Sequence, residues 1–289
     1  MEFEPEGRTA DELAPAVRGT APAELIKRVL SGAGFGGLSL LLLWAGLLPF
    51  GLLVLSVSLL ASWEWGRIVR GPGLDVSLIV HGAAVGAATL LSTCGFAALG
   101  IAVLVTGCII VLALEFGQRP IVSATGVLYT GLPSVALLWL RGNEHLGFVA
   151  VLFIIVVVSV TDTAAFATGR LLGGPRLAPQ ISPNKTWSGF AGGLLGGVLT
   201  AAVFALFLEI SPAGFAVMGF GMSLIAQAGD LAESALKRAF GVKDASNLIP
   251  GHGGFLDRVD GLVTASIAAA VYAFFVDPHA PARALLAGF

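Results

Sequence analysis

Between Val29 and Val276 the chain is a series of apolar runs, and its lysines and arginines gather in the gaps between them. A run of about 20 predominantly apolar residues is long enough to cross a bilayer as an α-helix. On that measure the sequence predicts nine spans: Val29 to Trp44, Leu47 to Ala61, Leu74 to Leu91, Phe96 to Leu114, Ile121 to Leu140, Phe148 to Thr168, Gly189 to Glu209, Gly214 to Ala228 and Val259 to Val276. The first two are short and divided only by the break near Gly46 and Pro49, so one bent hairpin and two tilted helices both satisfy them. Of the 289 residues 56% are hydrophobic and 12% charged, where a soluble domain carries about 25% charged residues. The expectation is an all-α integral membrane protein, a polytopic bundle of about nine transmembrane helices.

Orientation follows from the basic residues, which are retained on the cytoplasmic side. With a cytoplasmic N-terminus, nine spans leave 14 of the 16 Lys and Arg inside and only Arg141 and Arg283 outside. Merging the first pair into one span would reverse every later loop. Residues 1–24 are acidic and polar, without the basic region and short apolar core of a signal peptide, and read as a mobile cytoplasmic tail. Residues 25–140 then form an N-terminal transmembrane region and 141–289 a C-terminal catalytic one. Cys94 and Cys108 lie in apolar stretches without CxxC spacing, which suggests neither a disulfide nor a metal site. Glycine groups such as Gly192, Gly193, Gly196 and Gly197 read as close helix packing in lipid. His81, His145 and His279 are isolated, and Trp63-Glu64-Trp65 reads as an interfacial aromatic anchor with a charge among the headgroups.

Charge is concentrated in one segment, Gly229 to Gly261, which holds Asp230, Glu233, Lys237, Arg238, Lys243, Asp244, Asp257, Arg258 and Asp260 between two apolar runs. Ionisable groups at a membrane boundary are costly unless paired or functional. If the eighth helix continues through Phe240, Asp230, Ser234 and Lys237 share a face, and Glu233 can pair with Lys237 at i, i+4. Pro250-Gly251-His252-Gly253-Gly254 reads as a turn whose amides approach an anion. Asp257 and Asp260 open the ninth helix, where a carboxylate either caps the helix or faces a ligand. Asp230 and Asp257 can converge across the loop, and one or two carboxylates completed by water and phosphate oxygens suit Mg²⁺. Asp162 lies within an apolar span and demands a partner or water access. Ile181 to Trp187, with Ser182, Lys185 and Thr186, reads either as a capped helix start with a snorkelling lysine or as part of the site.

These residues resemble the signature of the phosphatidate cytidylyltransferases, or CDP-diacylglycerol synthases: Ser234-x-x-Lys237-Arg238, Lys243-Asp244, His252-Gly253-Gly254, Asp257-Arg258 and Asp260. The resemblance extends through Gly229-Asp230, Ile181-Ser182-Pro183 with Lys185-Thr186, and Asp162-Thr163 with Gly169-Arg170, about two-thirds of the chain. The chain departs from the pattern at Asn184, Ser188 and Phe166, where relatives often carry Lys, Glu and Tyr. What the resemblance implies is transfer of the cytidylyl group of CTP to phosphatidic acid, giving CDP-diacylglycerol and pyrophosphate for phospholipid synthesis. It further implies Mg²⁺ on Asp230 and Asp257, with room for a second, monovalent cation such as K⁺.

On this reading Lys237, Arg238, Lys243 and Arg258 serve the phosphates, with Ser234, Asp244 and Asp260 beside them. The His252-Gly253-Gly254 turn shapes the nucleotide site, and Asp162, Ser182, Lys185 and Thr186 line the lipid-phosphate side. The expected partners are the two substrates and the bilayer, and not nucleic acid; a homodimer is compatible with the chain. The expected setting is a bacterial inner membrane with the site on its cytoplasmic face. Two rivals fit less well. A CDP-alcohol phosphotransferase would need a different aspartate spacing, and an ion-coupled transporter would place polar groups from the midplane to both sides, where this chain concentrates them in one loop.

Overall fold

A computed structural model describes residues 22–246, 248 and 253–287, with the side chains of 22–31, 33 and 287 outside the description. Ten helices and one short hairpin follow in order: α1 (Pro22–Ala45), α2 (Leu47–Arg70), α3 (Val76–Thr93), α4 (Ala97–Leu114), α5 (Pro120–Arg141), α6 (His145–Leu172), β1 (Arg176–Ala178), β2 (Ser182–Thr186), α7 (Trp187–Leu208), α8 (Pro212–Ala239), α9 (Leu256–Val276) and α10 (Pro281–Ala287). Helices α2 to α9, eight in all, are long and apolar enough to cross a membrane, and α1 contributes a shorter apolar stretch, Gly34–Ala45. Each of the nine expected spans thus falls on one of α1 to α9, and eight of those helices have the length and apolarity to cross. Gly46, at φ 128°, separates α1 from α2, so the first pair is two helices joined at a sharp corner. Of the expected tail, residues 1–24, the last three already belong to α1, because the helix starts at Pro22, and 1–21 lie outside the described residues.

A helix is the answer to an apolar environment because every backbone group is satisfied within its own segment. Side-chain polarity is handled the same way. Serines and threonines donate back to carbonyls one turn earlier, as Ser62 does to Ser58 and Thr168 to Ala164. Others meet between helices: Ser62 and His81 both contact Thr130, at 3.0 and 2.9 Å, and Thr161 contacts Ser223 at 2.8 Å. Large apolar side chains such as Ile109 on α4 and Leu206 on α7 stay exposed, as lipid-facing positions do.

The main core joins α1, α2, α5, α6, α7, α8, α9 and α10 around Phe153, Ile154, Phe215 and Leu285, and a second joins α3, α4 and α5. The glycines of α7 work as the sequence suggests. A side chain at Gly192 would run into Thr168 of α6, and one at Gly197 into Ser223 of α8, so these helices approach at backbone distance.

One feature goes beyond the sequence reading. The stretch before α7 forms an antiparallel hairpin, with Arg176 opposite Thr186 and Ala178 opposite Ser182. Helix α8 continues past Ala228 to Ala239, the continuation considered in the sequence: at 28 residues it is about 42 Å long, against a hydrocarbon core of about 30 Å. It is longer than a span needs, and its last turns carry the charges.

Candidate active site

The extended α8, the start of α9, the hairpin and the end of α6 meet at one end of the bundle. On α8 the i, i+4 spacing places Glu233 beside Lys237, and their ion pair is 2.6 Å long. Lys237 reaches Asp257 of α9 at the same distance, so one ammonium is held between two carboxylates. Glu233 and Lys237 are buried.

Asp257 also gathers backbone. Oδ2 accepts from Gly254 N at 2.7 Å and from Ala245 N at 3.1 Å, and the Ala245 amide is shared with Oδ1 at 3.3 Å. Gly253, at φ +78°, is in the left-handed region and faces Asp257, so it is glycine on two counts. The described part of the expected anion-binding turn thus gives its Gly254 amide to the protein's own carboxylate. His252 lies outside the described residues.

A second charge group sits two turns back along α8, about 10 Å away by helical rise. Asp230 pairs with Lys185 of β2 at 2.5 Å, while Ser234 donates weakly to Asp230 at 3.5 Å. Asp162 of α6 lies within electrostatic reach of Asp230 and Lys185, and Asp260 within reach of Asp230, Glu233 and Asp162. Of these carboxylates only Asp230 is in contact with the lysine. Asp260 accepts from the Gly261 amide at 2.7 Å.

Asp162, Lys185, Thr186 and Asp230 line a cavity of about 580 Å³ together with Phe166, Arg170, Arg176, Asn184, Phe190 and Gln227. That volume is in the range of small-molecule and cofactor sites, about 300–1,000 Å³. The lining includes Asn184 and Phe166, two of the three departures noted in the sequence. The third, Ser188, donates to the Gly173 carbonyl and closes the base of the hairpin.

Other expected residues take positions the sequence does not reveal. Thr186 is buried and caps α7, accepting from Gly189 N at 3.1 Å, so the capped helix start is real and Lys185 beside it belongs to the site. Arg238 donates to the carbonyls of Ile181 and Val242 at 3.3 and 3.4 Å, tying the hairpin tip to the end of α8. Ser182 is half-buried at the start of β2; Lys243 and Asp244 are exposed on the loop, and Arg258 is exposed on the first turn of α9.

The Trp63-Glu64-Trp65 reading needs correction. Trp65 is buried, not interfacial: its indole donates to Val122 O at 3.1 Å and stacks on Tyr129, with centroids 5.0 Å apart. Glu64 is wholly buried and accepts from Ser246 Oγ at 2.5 Å, Phe255 N at 3.0 Å and Leu256 N at 2.7 Å. A lone acid at the end of an apolar run was the available signal, since such a residue is functional by default. The headgroup explanation hid it. Gln227, which donates to Phe190 O at 3.3 Å and lines the cavity, gave no sequence signal at all.

A bundle of membrane-length helices with paired acids and bases at one end, beside a polar cavity, defines a membrane enzyme built to handle phosphates. The chain belongs to the cytidylyltransferase family, whose pattern matches residues 26–276. It is 40% identical over 275 residues to a phosphatidate cytidylyltransferase of Brucella suis, covering 90% of this chain and 97% of that one. The phosphatidate cytidylyltransferase of Bacillus subtilis is 31% identical over 254 residues, 83% of this chain and 94% of the relative. That of Haemophilus influenzae is 35% identical over 173 residues, 56% and 60% respectively.

Proposed function

We propose that the protein transfers the cytidylyl group of CTP to phosphatidic acid, releasing pyrophosphate and leaving CDP-diacylglycerol in the bilayer. Full-length similarity to relatives of that name supports the reaction, and the observation that carries it into this chain is the pairing of Lys185 with Asp230 at the wall of the polar cavity. The lipid phosphate attacks the α-phosphorus of CTP, a new P–O bond forms, and the bond to the β-phosphate oxygen breaks. No enzyme nucleophile is required. The protein positions two anions and neutralises the charge that develops toward pyrophosphate.

The residues suit that task on two sides. Lys185, Arg170 and Arg176 line the cavity and attract the lipid phosphate, whose acyl chains stay in the membrane. Lys237, held between Glu233 and Asp257, is fixed in place for the nucleotide side, with Lys243 and Arg258 nearby in sequence.

Asp230 and Asp162 beside Lys185, with Asp260 in electrostatic reach of both acids, leave excess negative charge on hard oxygens, which suits a divalent cation such as Mg²⁺. Among the described residues no three acids, histidines or cysteines converge into a complete ligand set, so water and phosphate oxygens would complete the shell. When bound, Mg²⁺ offsets charge on the phosphates. Asp230 is the residue we assign to hold it, with K⁺ as a candidate second ion; Asp257 is paired in the separate Lys237 group and would join only by moving toward Asp230. For Asp257 to take part, Lys237 must loosen its contact at Oδ1, and Glu233 keeps the ammonium paired when it does.

Substrate phosphates reach this site from a cytoplasm, and the positive residues fall on that side, so we place the site on the cytoplasmic face of a bacterial inner membrane. The test is conversion of phosphatidic acid by purified protein, following cytidine lipid and pyrophosphate together. Equal yields of both that vanish with EDTA and return with Mg²⁺ are expected. Folded protein that gives neither product at any Mg²⁺ concentration would overturn the proposal.

A further inference from the structure

Glu64 lies on α2, far in sequence from every residue that carries the family signature, yet its carboxylate is wholly buried against the loop before α9. Burying a carboxylate costs several kcal/mol unless donors replace its water. Here its partners among the described residues are a serine hydroxyl and two backbone amides, all three donating to it. The amides of Phe255 and Leu256 stand at the start of α9, where a negative charge is favoured by the helix dipole. Glu64 therefore supplies the cap that α9 lacks from its own residues.

The loop is held in a regular way. At its leading side Ala245 donates its amide to Asp257 and Ser246 its hydroxyl to Glu64. At its trailing side Gly254 donates to Asp257, and Phe255 and Leu256 donate to Glu64. Two carboxylates, one from α2 and one from α9, thus grip both sides of the same loop. Packing agrees: Ala61, Trp65, Ile68 and Val69 of α2 form one apolar cluster with Ala245 and Leu256. Gly254 is glycine because a Cβ there would collide with the Glu64 carboxylate.

We infer that Glu64 is a positioning residue for the cytidylyl transfer, which fixes Ser246 and residues 254–256 at the two sides of the loop and, through them, the place of Asp257 against Lys237. This rests on the reaction proposed above and adds to it a role for the N-terminal helix pair. Glu64 touches no reacting group. Its loss moves Asp257, and a shift of about 1 Å at a reacting centre costs about 10²-fold in rate.

The experiment compares Glu64→Ala, Glu64→Gln, Gly254→Ala and the double variant Glu64→Ala/Gly254→Ala, each as full-length protein in detergent or nanodiscs. The readouts are kcat, both KM values and amide hydrogen exchange resolved along the chain. Glu64→Ala is expected to lower kcat by about 10²-fold, leave the KM for phosphatidic acid within about twofold, and speed exchange at 245–256 by about 10-fold while the 176–186 hairpin keeps its protection. Glu64→Gln keeps one acceptor oxygen and recovers part of kcat. Gly254→Ala reproduces the defect alone and adds nothing to Glu64→Ala, because the atom it collides with is gone.

Unchanged loop exchange in Glu64→Ala overturns the inference, as does faster exchange spread evenly over loop and hairpin, or a Gly254→Ala defect that adds fully in the double variant. If the parent protein shows no cytidylyl transfer, the reaction reading fails, while the exchange pattern still decides whether Glu64 holds the loop.

Discussion

Asp257 shows how many demands one side chain can meet. Its two oxygens receive an ammonium and two backbone amides, so it is both a fastener for the loop and a charge beside Lys237. Asp257→Asn removes the charge and points an amide nitrogen at one of those donors. We expect kcat to fall by about 10²-fold or more, as for loss of a preorganised charge in a reacting site, with an unchanged elution profile in detergent; near-normal turnover at saturating Mg²⁺ would release Asp257 from the proposed metal site. Lys185 is a different case, because it is partly open to the cavity and pairs with a single carboxylate. Lys185→Ala should raise the KM for phosphatidic acid by about 10-fold, the worth of one charge-assisted hydrogen bond, and leave the KM for CTP near its starting value. Initial rates across both substrates would check this, and equal changes in the two constants would count against a lipid-side lysine.

Among the elements, α6, α7 and α8 form the rigid frame of the cavity, and their glycines set its dimensions. With Gly192 against Thr168 and Gly197 against Ser223, the hairpin before α7 is held close to Asp230. Gly192→Ala forces the α6 and α7 backbones apart and should destabilise the protein by about 1–3 kcal/mol. Adding Thr168→Ala makes room and should restore part of that loss, both changes read as shifts in thermal unfolding in one detergent. Helix α8 does two jobs: its first half packs Phe215, Met218 and Met222 in the core, and its last turns carry Glu233 and Lys237. The seven-residue α10 has no counterpart in the sequence reading, since it is too short to span, but its Leu285 is wholly buried in the main core.

At the scale of the whole molecule, all the paired charges of the site fall at one end of the bundle, and the far end carries the buried Arg141, bound to Leu43 O at 2.9 Å. The proposed arrangement, nine spans from a cytoplasmic N-terminus, makes a direct prediction about sidedness. In a variant with Cys94 and Cys108 replaced, a cysteine at Gln180 of the hairpin should react with an impermeant maleimide only after cells are opened. One at Asn143 between α5 and α6 should react in intact spheroplasts. Labelling of both from one side would break the nine-span topology. The spans were legible from sequence because crossing a bilayer demands length and apolarity, which are local properties of about 20 residues. The pairing of Glu233 with Lys237 was legible for the same reason, since helix periodicity fixes neighbours four residues apart. The signature residues, too, stood out as charges beside apolar runs. What only the tertiary structure decided was every relation between distant segments: Lys185 with Asp230, Lys237 with Asp257, and Glu64 with a loop more than 180 residues away. Sequence spacing carries no information about which helices touch. That is set by which small residues let which backbones approach and by where buried charges find donors, and both are properties of the assembled bundle.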